Sequence, residues 1–368
     1  MRRRIAILFG GRSAEHEVSV VSARSVMDAL DPGRYEIIPI GVTREGRWQL
    51  VAGGPAALAA GPPGHLPRVT DASGPEVALD QDPGSQTLVA EDGSRTPIDV
   101  VFPVIHGPYG EDGSIQGFLE VAGVPYVGAG VLASAVGMDK AIQKILFRAA
   151  GIPVVEHEVV QEREWEEDPE AVEAGAQHLG YPLFAKPASL GSSVGVTKVR
   201  GRADLRGALE RAFRYGRKAL LERAVEGGRE LEVAVLGNDD PVASVAGEIV
   251  PRHEFYSYEA KYLDENGAEL VIPAQVSPEI MEETQRLAVA AFAAVDGAGM
   301  ARVDFFLRPS GDVLINEINT IPGFTQISMY PKLWEASGLS YPELIDRLLE
   351  LAVERHERER KKGTGLDP

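Results

Sequence analysis

The stretch Gly299-Met-Ala-Arg-Val-Asp-Phe-Phe-Leu-Arg-Pro-Ser-Gly-Asp-Val-Leu-Ile-Asn-Glu-Ile-Asn319 predicts a β-hairpin. Residues 301–307 and 313–318 are strand-like runs that flank a Pro-Ser-Gly-Asp turn. Because successive side chains of a strand point to opposite faces, Arg302 and Asp304 share one face of the first run. Glu317 and Asn319 share one face of the second. Pairing of the two runs would therefore bring Asp304, Glu317 and Asn319 together.

These three oxygen-bearing side chains predict a magnesium site. Hard oxygen ligands without His or Cys suit Mg²⁺, which usually keeps waters and substrate phosphates as its other ligands. Arg302 adds a positively charged fork beside them. Charged residues on strands more often form a solvated face, but both runs are apolar, and buried acids are usually paired or metal-bound. The metal-site interpretation is therefore favoured.

Composition excludes several classes of protein. The 368 residues are enough for two or three domains, and 44% apolar and 25% charged residues are ordinary for a globular protein. The net charge of −18 argues against a nucleic-acid or anionic-membrane surface. The sequence has no Cys, so disulfides and Cys nucleophiles are excluded. The apolar run 5–9 is too short for a signal peptide, and no run is long enough to span a membrane, so a cytoplasmic protein is expected.

The N-terminal third predicts a doubly wound α/β domain. Residues 4–9 read as a buried strand, 13–30 as a helix and 35–42 as a second strand, which together form a βαβ unit. Residues 51–97 are rich in Pro, Gly and Ala, and we expect an insertion with short strands there. The first domain is expected to cover residues 1–133.

Two further domains are expected at 134–226 and 227–357, followed by a flexible tail at 358–368. The first of them begins with one helix at 133–150 and continues with strands and helices typical of an antiparallel sheet with covering helices. The second is dominated by strands. Its last helix is expected at 341–354, with fraying of the charged residues that follow.

Residues 182–195 predict a phosphate-binding loop. Lys186 ends a strand and is followed by Gly191-Ser-Ser-Val-Gly195, whose backbone N–H groups can approach phosphate oxygens. The same loop contains the Gly-x-Ser-x-Gly pattern of a serine-hydrolase elbow around Ser193. That elbow requires a helix after the turn, whereas 194–199 predicts a strand. An ordinary solvent loop is the other alternative, because Gly/Ser loops are common.

Two other segments carry weaker signals. Gly128-Ala-Gly130 before a helix loosely matches a dinucleotide fingerprint, which leaves a nicotinamide dehydrogenase as an alternative, although the expected acid about 20 residues later is replaced by Arg148. Glu222 ends an apolar strand and could accept hydrogen bonds from a nucleotide. On its own, Glu222 would be read as a surface acid.

Six segments, taken in order, resemble motifs of the D-alanine–D-alanine ligase family of ATP-grasp enzymes. The resemblance extends from residue 5 to about residue 350. Its departures are few: the Met-Asp-Lys-Ala segment, the Ala-Ser-Leu of the flexible loop and the long 51–97 insertion. The segments are Leu8-Phe-Gly-Gly-Arg-Ser-Ala-Glu-His-Glu-Val-Ser19, His106-Gly-Pro-Tyr-Gly-Glu-Asp-Gly-Ser-Ile-Gln-Gly117, Met138-Asp-Lys140, Lys186-Pro with Gly191-Ser-Ser-Val-Gly195, Tyr258-Glu-Ala-Lys-Tyr262 and Asn316-Glu-Ile-Asn-Thr-Ile-Pro-Gly323.

The resemblance implies an α/β (α+β) ATP-grasp fold with an N-terminal doubly wound domain. It implies ATP-dependent ligation of two D-alanine molecules through D-alanyl phosphate, supplying peptidoglycan precursor synthesis. It also implies ATP, two Mg²⁺ or Mn²⁺ ions and a homodimer, and it leaves a K⁺ requirement open. The negative net charge adds the expectation of no nucleic-acid or membrane partner. A ligase that uses D-lactate or D-serine as second substrate is the alternative.

The resemblance also implies roles for individual residues. Glu15 would bind the ammonium of the first D-alanine, with Ser192 and Tyr262 hydrogen-bonded to Glu15, while Arg302 and the Gly323 N–H would stabilise the oxyanion. The resemblance makes residues 255–272 a lid over the site, and Tyr262 in this lid would favour an amine over a hydroxyl as nucleophile. The other substrate contacts would be His106, Ser328 and Met329; the ATP contacts Lys140, Lys186, Ser193, Glu222, Val225, Glu230 and Lys261; and the metal ligands Asp304, Glu317 and Asn319.

Overall fold

The computed structural model describes residues 2–52, 67–70, 73–80, 82–251 and 268–362. Its strands are β1 Arg3–Gly10, β2 Tyr35–Val42, β3 Trp48–Leu50, β4 Val77–Leu79, β5 Thr87–Ala90, β6 Arg95–Pro97, β7 Val100–Pro103, β8 His157–Gln161, β9 Leu183–Pro187, β10 Thr197–Val199, β11 Lys218–Arg223, β12 Arg229–Gly237, β13 Val242–Pro251, β14 Ala268–Val271, β15 Gly299–Leu307 and β16 Val313–Asn319. Its helices are α1 His16–Ala29, α2 Ser114–Val121, α3 Val131–Met138, α4 Lys140–Ala149, α5 Glu162–Glu167, α6 Pro169–Leu179, α7 Arg202–Phe213, α8 Pro278–Ala294, α9 Met329–Ala336 and α10 Tyr341–Arg360.

The N-terminal sheet has the order β3-β2-β1-β7 and confirms the predicted βαβ unit. Strand β1 is parallel to both β2 and β7, and α1 connects β1 to β2. The central strand is apolar and fully buried from Ile5 to Phe9, as expected for a parallel strand covered on both faces. Within the insertion, β4, β5 and β6 form a small antiparallel sheet, in agreement with the short strands expected there.

An antiparallel sheet of order β10-β9-β11-β8 follows, as predicted for this part of the chain. Helix α7 packs on its apolar face through Leu205 and Leu209, against Leu183 and Leu221 of the strands. The opposite face of the same strands carries Lys186 and Glu222, because side chains alternate along a strand. The sheet therefore presents charged groups on the side away from its own core.

The C-terminal sheet has the order β14-β13-β12-β15-β16. One face, with Val233 and Val303, packs against Phe292 of α8. The other face joins the core of the N-terminal domain through Ala234 and Met300. Glu232 and Arg302 lie two residues further along the same face of their strands, where that face leaves the core and enters an open cleft.

The predicted helix at 133–150 is wrong in one respect, because two helices, α3 and α4, occupy it. Asp139 separates them in an extended conformation, with φ −101° and ψ 100°. Its side chain accepts hydrogen bonds from the backbone N–H groups of Ala141 and Ile142 at 3.0 and 3.2 Å, which caps α4. The break makes Lys140 the first residue of α4.

The last helix also differs from its prediction, since α10 continues to Arg360 instead of ending at residue 354. Arg355 anchors this extension: its guanidinium donates hydrogen bonds to the Gly128 carbonyl and, at 3.3 Å, to the Tyr126 carbonyl. The same group lies 4.3 Å from the centre of the Tyr126 ring. Among the described residues, no helix has the length and apolar character needed to cross a membrane.

Candidate active site

The predicted hairpin is confirmed. Asp304 of β15 pairs with Glu317 of β16, and Arg302 pairs with Asn319. On the other side of β15, Asp304 lies opposite Glu232 of β12. Three carboxylates therefore form a row across three neighbouring strands, because directly paired residues share a face of the sheet.

Each of these acids is paired with a cation of the chain. Asp304 accepts two hydrogen bonds from Arg302, each of 2.7 Å, and Glu232 lies 3.0 Å from the Arg302 Nε. Glu317 lies 2.8 Å from the Lys140 Nζ. Burial opposes the charge on Arg302, but the surrounding carboxylates outweigh burial and raise its pKa well above its ordinary value. The guanidinium is therefore a permanent positive charge in the site.

The oxygen donors of the hairpin fit a hard divalent cation. Asp304 and Glu317 supply carboxylates, and Asn319 supplies an amide oxygen that also accepts a 3.0 Å hydrogen bond from the Ile321 N–H. This set lacks nitrogen and sulfur ligands, as Mg²⁺ and Mn²⁺ prefer. Binding of such an ion would weaken the ion pair of Arg302 with Asp304 and that of Lys140 with Glu317.

A second charged cluster lies on the neighbouring sheet around Glu222, which is only 3% exposed. Its carboxylate contacts the Lys144 Nζ at 2.8 Å on one oxygen and the Lys186 Nζ on the other. Burial alone would raise the pKa of Glu222, but the two lysines outweigh burial and lower it to about 2. Both lysines also donate to Asn316, through its backbone and side-chain oxygens at 2.9 and 3.2 Å, which ties this cluster to the metal-ligand strand.

Replacing Glu222 with Gln should lower the free energy of unfolding by about 3–5 kcal/mol at pH 7, because two buried lysines lose their counter-charge. The parent protein should also lose stability as the pH falls from about 4.5 towards 2, since a carboxyl with a depressed pKa stabilises only while it is ionised. The variant should lack that part of the acid dependence. Denaturant unfolding over this pH range measures both effects.

The matched control for this prediction is Glu156→Gln. Glu156 contacts Arg223 at 2.9 Å, in a pair whose two side chains are each 55% exposed. Exposed pairs contribute about 0–1 kcal/mol, so the control should stay within that range. Equal effects of the two substitutions would show that the buried Glu222 cluster stabilises the fold no more than an exposed ion pair does.

The N-terminal domain contributes Glu15, which immediately precedes α1 and is 9% exposed. The Ser192 hydroxyl donates a hydrogen bond to Glu15 and so joins α1 to the Gly/Ser loop. Ser192 and Ser193 both have left-handed backbones, with φ of 52° and 58°. This sharp turn leads into β10, which pairs antiparallel with β9, and not into a helix. The hydrolase elbow around Ser193 is therefore not formed.

His106 is buried between α1 of the N-terminal domain and the segment that follows β16. Its Nδ1 lies 3.2 Å from the Ile321 carbonyl and its Nε2 3.3 Å from the Ser22 hydroxyl. Burial is the main cause of its lowered pKa, so the ring is neutral at neutral pH. The other histidine of the N-terminal motifs, His16, is a structural residue: it bonds the Gly11 carbonyl and accepts from the Val69 N–H.

Two adjoining cavities collect the predicted site residues that the structure describes. The first, of about 370 Å³, is lined by Glu15, His106, Arg302, Asn319, Gly323, Ser328 and Met329. The second, of about 610 Å³, is lined by Lys186, Ser193, Glu222, Val225, Glu230 and Asp304. Lys140, Ser192, Glu232 and Glu317 line both. Tyr262, Lys261 and most of the expected lid lie outside the described residues.

Lys144, Glu111 and Glu232 belong to this region but are absent from the predicted set. Lys144 lies one helical turn after Lys140, on the same face of α4, and this spacing could have indicated that it lies near the site. Glu111 lies within the His-Gly-Pro-Tyr-Gly-Glu segment, where its carboxylate accepts a 2.6 Å hydrogen bond from the Gly107 N–H. Burial, followed by the charge of Glu15, raises its pKa well above the ordinary value.

Gly128, the basis of the dehydrogenase alternative, is explained by packing. A side chain at Gly299 would lie about 3.1 Å from the Gly128 backbone, so the two glycines allow the chain to pass closely at the start of β15. The Gly128 carbonyl also accepts from Arg355. The loop therefore holds the N-terminal domain and α10 against the C-terminal sheet.

Comparison with known proteins agrees with this geometry. Residues 4–129 match the family described as D-ala D-ala ligase N-terminus, and residues 146–350 match D-ala D-ala ligase C-terminus. A D-alanine–D-alanine ligase of Thermoanaerobacter sp. (strain X514) is 51% identical over 360 residues, covering 96% of this chain and 98% of the relative. A D-alanine–D-alanine ligase of Streptomyces griseus is 50% identical over 367 residues, covering 96% and 93%.

Solved structures give the same result. The D-alanine–D-alanine ligase of Coxiella burnetii has a TM-score of 0.86 and 40% identity, covering 98% of this chain and 96% of that one. The VanG D-Ala:D-Ser ligase of Enterococcus faecalis has a TM-score of 0.84 and 35% identity, covering 96% and 100%. The similarity therefore extends over both cavities and the sheets that line them.

Proposed function

We propose that this chain, which belongs to the D-alanine–D-alanine ligase family, binds two D-alanine molecules in the first cavity and ATP in the second, and that both cavities serve a single ligation reaction. The fold is the ATP-grasp fold, and the enzyme is a ligase that makes D-alanyl-D-alanine for peptidoglycan precursors. The observation that carries the proposal is the junction of the cavities, which Lys140, Ser192, Glu232 and Glu317 line together. A phosphoryl group bound at this junction would lie within reach of both cavities.

The ligation reaction requires that the ATP cavity and the D-alanine cavity meet. A carboxylate oxygen is a poor leaving group, so the first D-alanine attacks the γ-phosphorus of ATP through its carboxylate, and ADP leaves. The amine of the second D-alanine then attacks the acyl carbon and loses a proton. The C–O bond to phosphate breaks, and phosphate departs with one oxygen of the original carboxylate.

The second cavity is assigned to ATP. The Glu222 carboxylate, ionised and fixed by two lysines, is an acceptor suited to the adenine amino group, with Val225 beside it. Glu230 would accept from ribose hydroxyls. Lys140, Lys186 and the loop that contains Ser193 would contact phosphates, together with Lys261 from outside the described residues.

The metal ligands are assigned to Asp304, Glu317 and Asn319, which would hold two Mg²⁺ or Mn²⁺ ions at the junction. When bound, the ions neutralise phosphate charge and orient the transferred group. Lys140, now paired with Glu317, would then be free to turn towards a phosphate oxygen. Breaking of the Lys140–Glu317 ion pair explains how Lys140 can contact a metal ligand in this structure and still serve as a phosphate contact.

The first cavity is assigned to the two D-alanine molecules. Glu15 would accept from the ammonium of the first, with its orientation fixed by Ser192. A neutral His106 near the same substrate adds no positive charge that would repel the ammonium. Arg302 and the Gly323 N–H would stabilise the oxyanion, and Ser328 and Met329 would contact the second D-alanine.

A single comparative assay tests the proposed function. Phosphate release should require both ATP and D-alanine, and mass spectrometry should identify D-alanyl-D-alanine as the main product. D-serine and D-lactate, each supplied with D-alanine, test the alternative raised by the D-Ala:D-Ser relative, and L-alanine is the negative control. ATP hydrolysis that is indifferent to D-alanine would contradict the proposal. We also propose, from family membership, a cytoplasmic homodimer, which light scattering can examine.

A further inference from the structure

Glu232 is a third carboxylate in the site, and none of the roles above uses it. It lies on the central strand β12, is 6% exposed and lines both cavities. Its Oε2 lies 3.0 Å from the Arg302 Nε. A buried charge of this kind needs a partner, and Arg302 provides a cation beside it.

Arg302 is shared unequally between two acids. Asp304 accepts from both its Nε and its Nη2 at 2.7 Å, so Asp304 is the dominant partner in this structure. Asp304 is also a proposed metal ligand. Coordination of a divalent cation would draw electron density from the Asp304 oxygens and place a second positive charge beside the guanidinium, so both hydrogen bonds from Arg302 would become weaker. Loading the site therefore weakens the contact that now fixes Arg302.

Glu232 is placed to take over that contact. It lies directly opposite Asp304 in the β12–β15 register, on the side of β15 away from Glu317. Glu232 therefore contacts Arg302 from the β12 side of β15, whereas the other two proposed metal ligands, Glu317 and Asn319, lie on the β16 side. Strand β12 is paired on both edges, with β13 and β15, which holds its backbone in place.

Resting on the proposed function, we infer that Glu232 is a positioning residue that holds Arg302 aimed at the reacting carboxyl when Asp304 binds metal. Its negative charge also offsets the guanidinium, which would otherwise be drawn towards Glu317 or the phosphates. Arg302 can stabilise the oxyanion only if its N–H groups stay fixed where charge develops. Glu232 thus acts through Arg302 and is not itself a ligand of the metal.

The test is Glu232→Gln, which keeps the size of the side chain and removes its charge. We expect kcat to fall by about ten- to a hundredfold, as for a misplaced catalytic group. The KM for ATP and the Mn²⁺ dissociation constant, measured by electron paramagnetic resonance, should each change by less than about threefold. In an Arg302→Ala background, Glu232→Gln should lower kcat by less than about threefold more, because the group it positions is already gone.

Three results would overturn this inference: an unchanged kcat in Glu232→Gln, a loss of Mn²⁺ affinity above about tenfold, or additive effects with Arg302→Ala. If Glu232→Gln does not fold, Glu232→Asp, which keeps the charge at shorter reach, is measured in its place with the same criteria. Asp99→Asn is the matched control, because Asp99 forms a two-point pair with Arg4 outside the cleft. Absence of D-alanine-dependent turnover in the parent enzyme would instead refute the proposed function.

Discussion

Asp304→Asn is expected to lower turnover by at least about a thousandfold while leaving the fold intact. Asparagine keeps the size and one oxygen of the side chain but removes the negative charge that a divalent cation needs. Glu317→Gln should act in the same way, because the two carboxylates are paired across the hairpin. The loss should appear in kcat and in Mn²⁺ affinity together, and raising Mg²⁺ should restore only part of it.

The control is Asp312→Asn in the turn of the same hairpin, where the carboxylate accepts a 2.7 Å hydrogen bond from the exposed Ser310 hydroxyl. This change should leave kcat within about twofold, as for surface positions away from the site. Circular dichroism of all three variants establishes that the sheet is intact. Near-normal turnover of Asp304→Asn at saturating Mg²⁺ would remove Asp304 from the metal site.

Arg302→Ala should reduce kcat by about a hundred- to a thousandfold, with little change in ATP affinity. The expected loss of about 3–4 kcal/mol is that of one donor directed at charge present only in the transition state. Steady-state kinetics with direct measurement of ATP binding separates the two quantities. A change confined to KM would assign Arg302 to substrate binding.

Arg302→Lys is the informative companion to this variant. Lysine keeps the charge but lacks the planar fork that now reaches Asp304 and Glu232 at once. It should therefore recover only part of the lost turnover. Full recovery would show that positive charge alone is sufficient and that the direction of the N–H groups is unimportant.

Much of this site could be predicted because its chemistry is local in the sequence. Period-2 alternation placed Asp304, Glu317 and Asn319 on one face of a hairpin, and the register confirms that placement. The buried β1 strand and the βαβ unit follow from the same kind of pattern. Whether Arg302, Glu15 and the other assigned residues have the proposed roles in the reaction stays a prediction that the experiments above address.

The features that could not be predicted depend on contacts distant in sequence or on competition between local preferences. Asp139 interrupts an otherwise helical run because its side chain caps the following turn better than it continues the preceding one. The extension of α10 depends on Arg355 meeting carbonyl groups more than 220 residues away. No sequence motif marks Glu232, and only the β12–β15 register places it beside Asp304.

The most direct test of the central claim uses D-alanine labelled with ¹⁸O in both carboxylate oxygens. If the two cavities cooperate through an acyl phosphate, each turnover should move one ¹⁸O into the released phosphate, and the dipeptide should keep one label at the new amide and two at its carboxyl end. Mass spectrometry of phosphate and dipeptide measures this. Phosphate without label, formed while D-alanyl-D-alanine accumulates, would contradict the account.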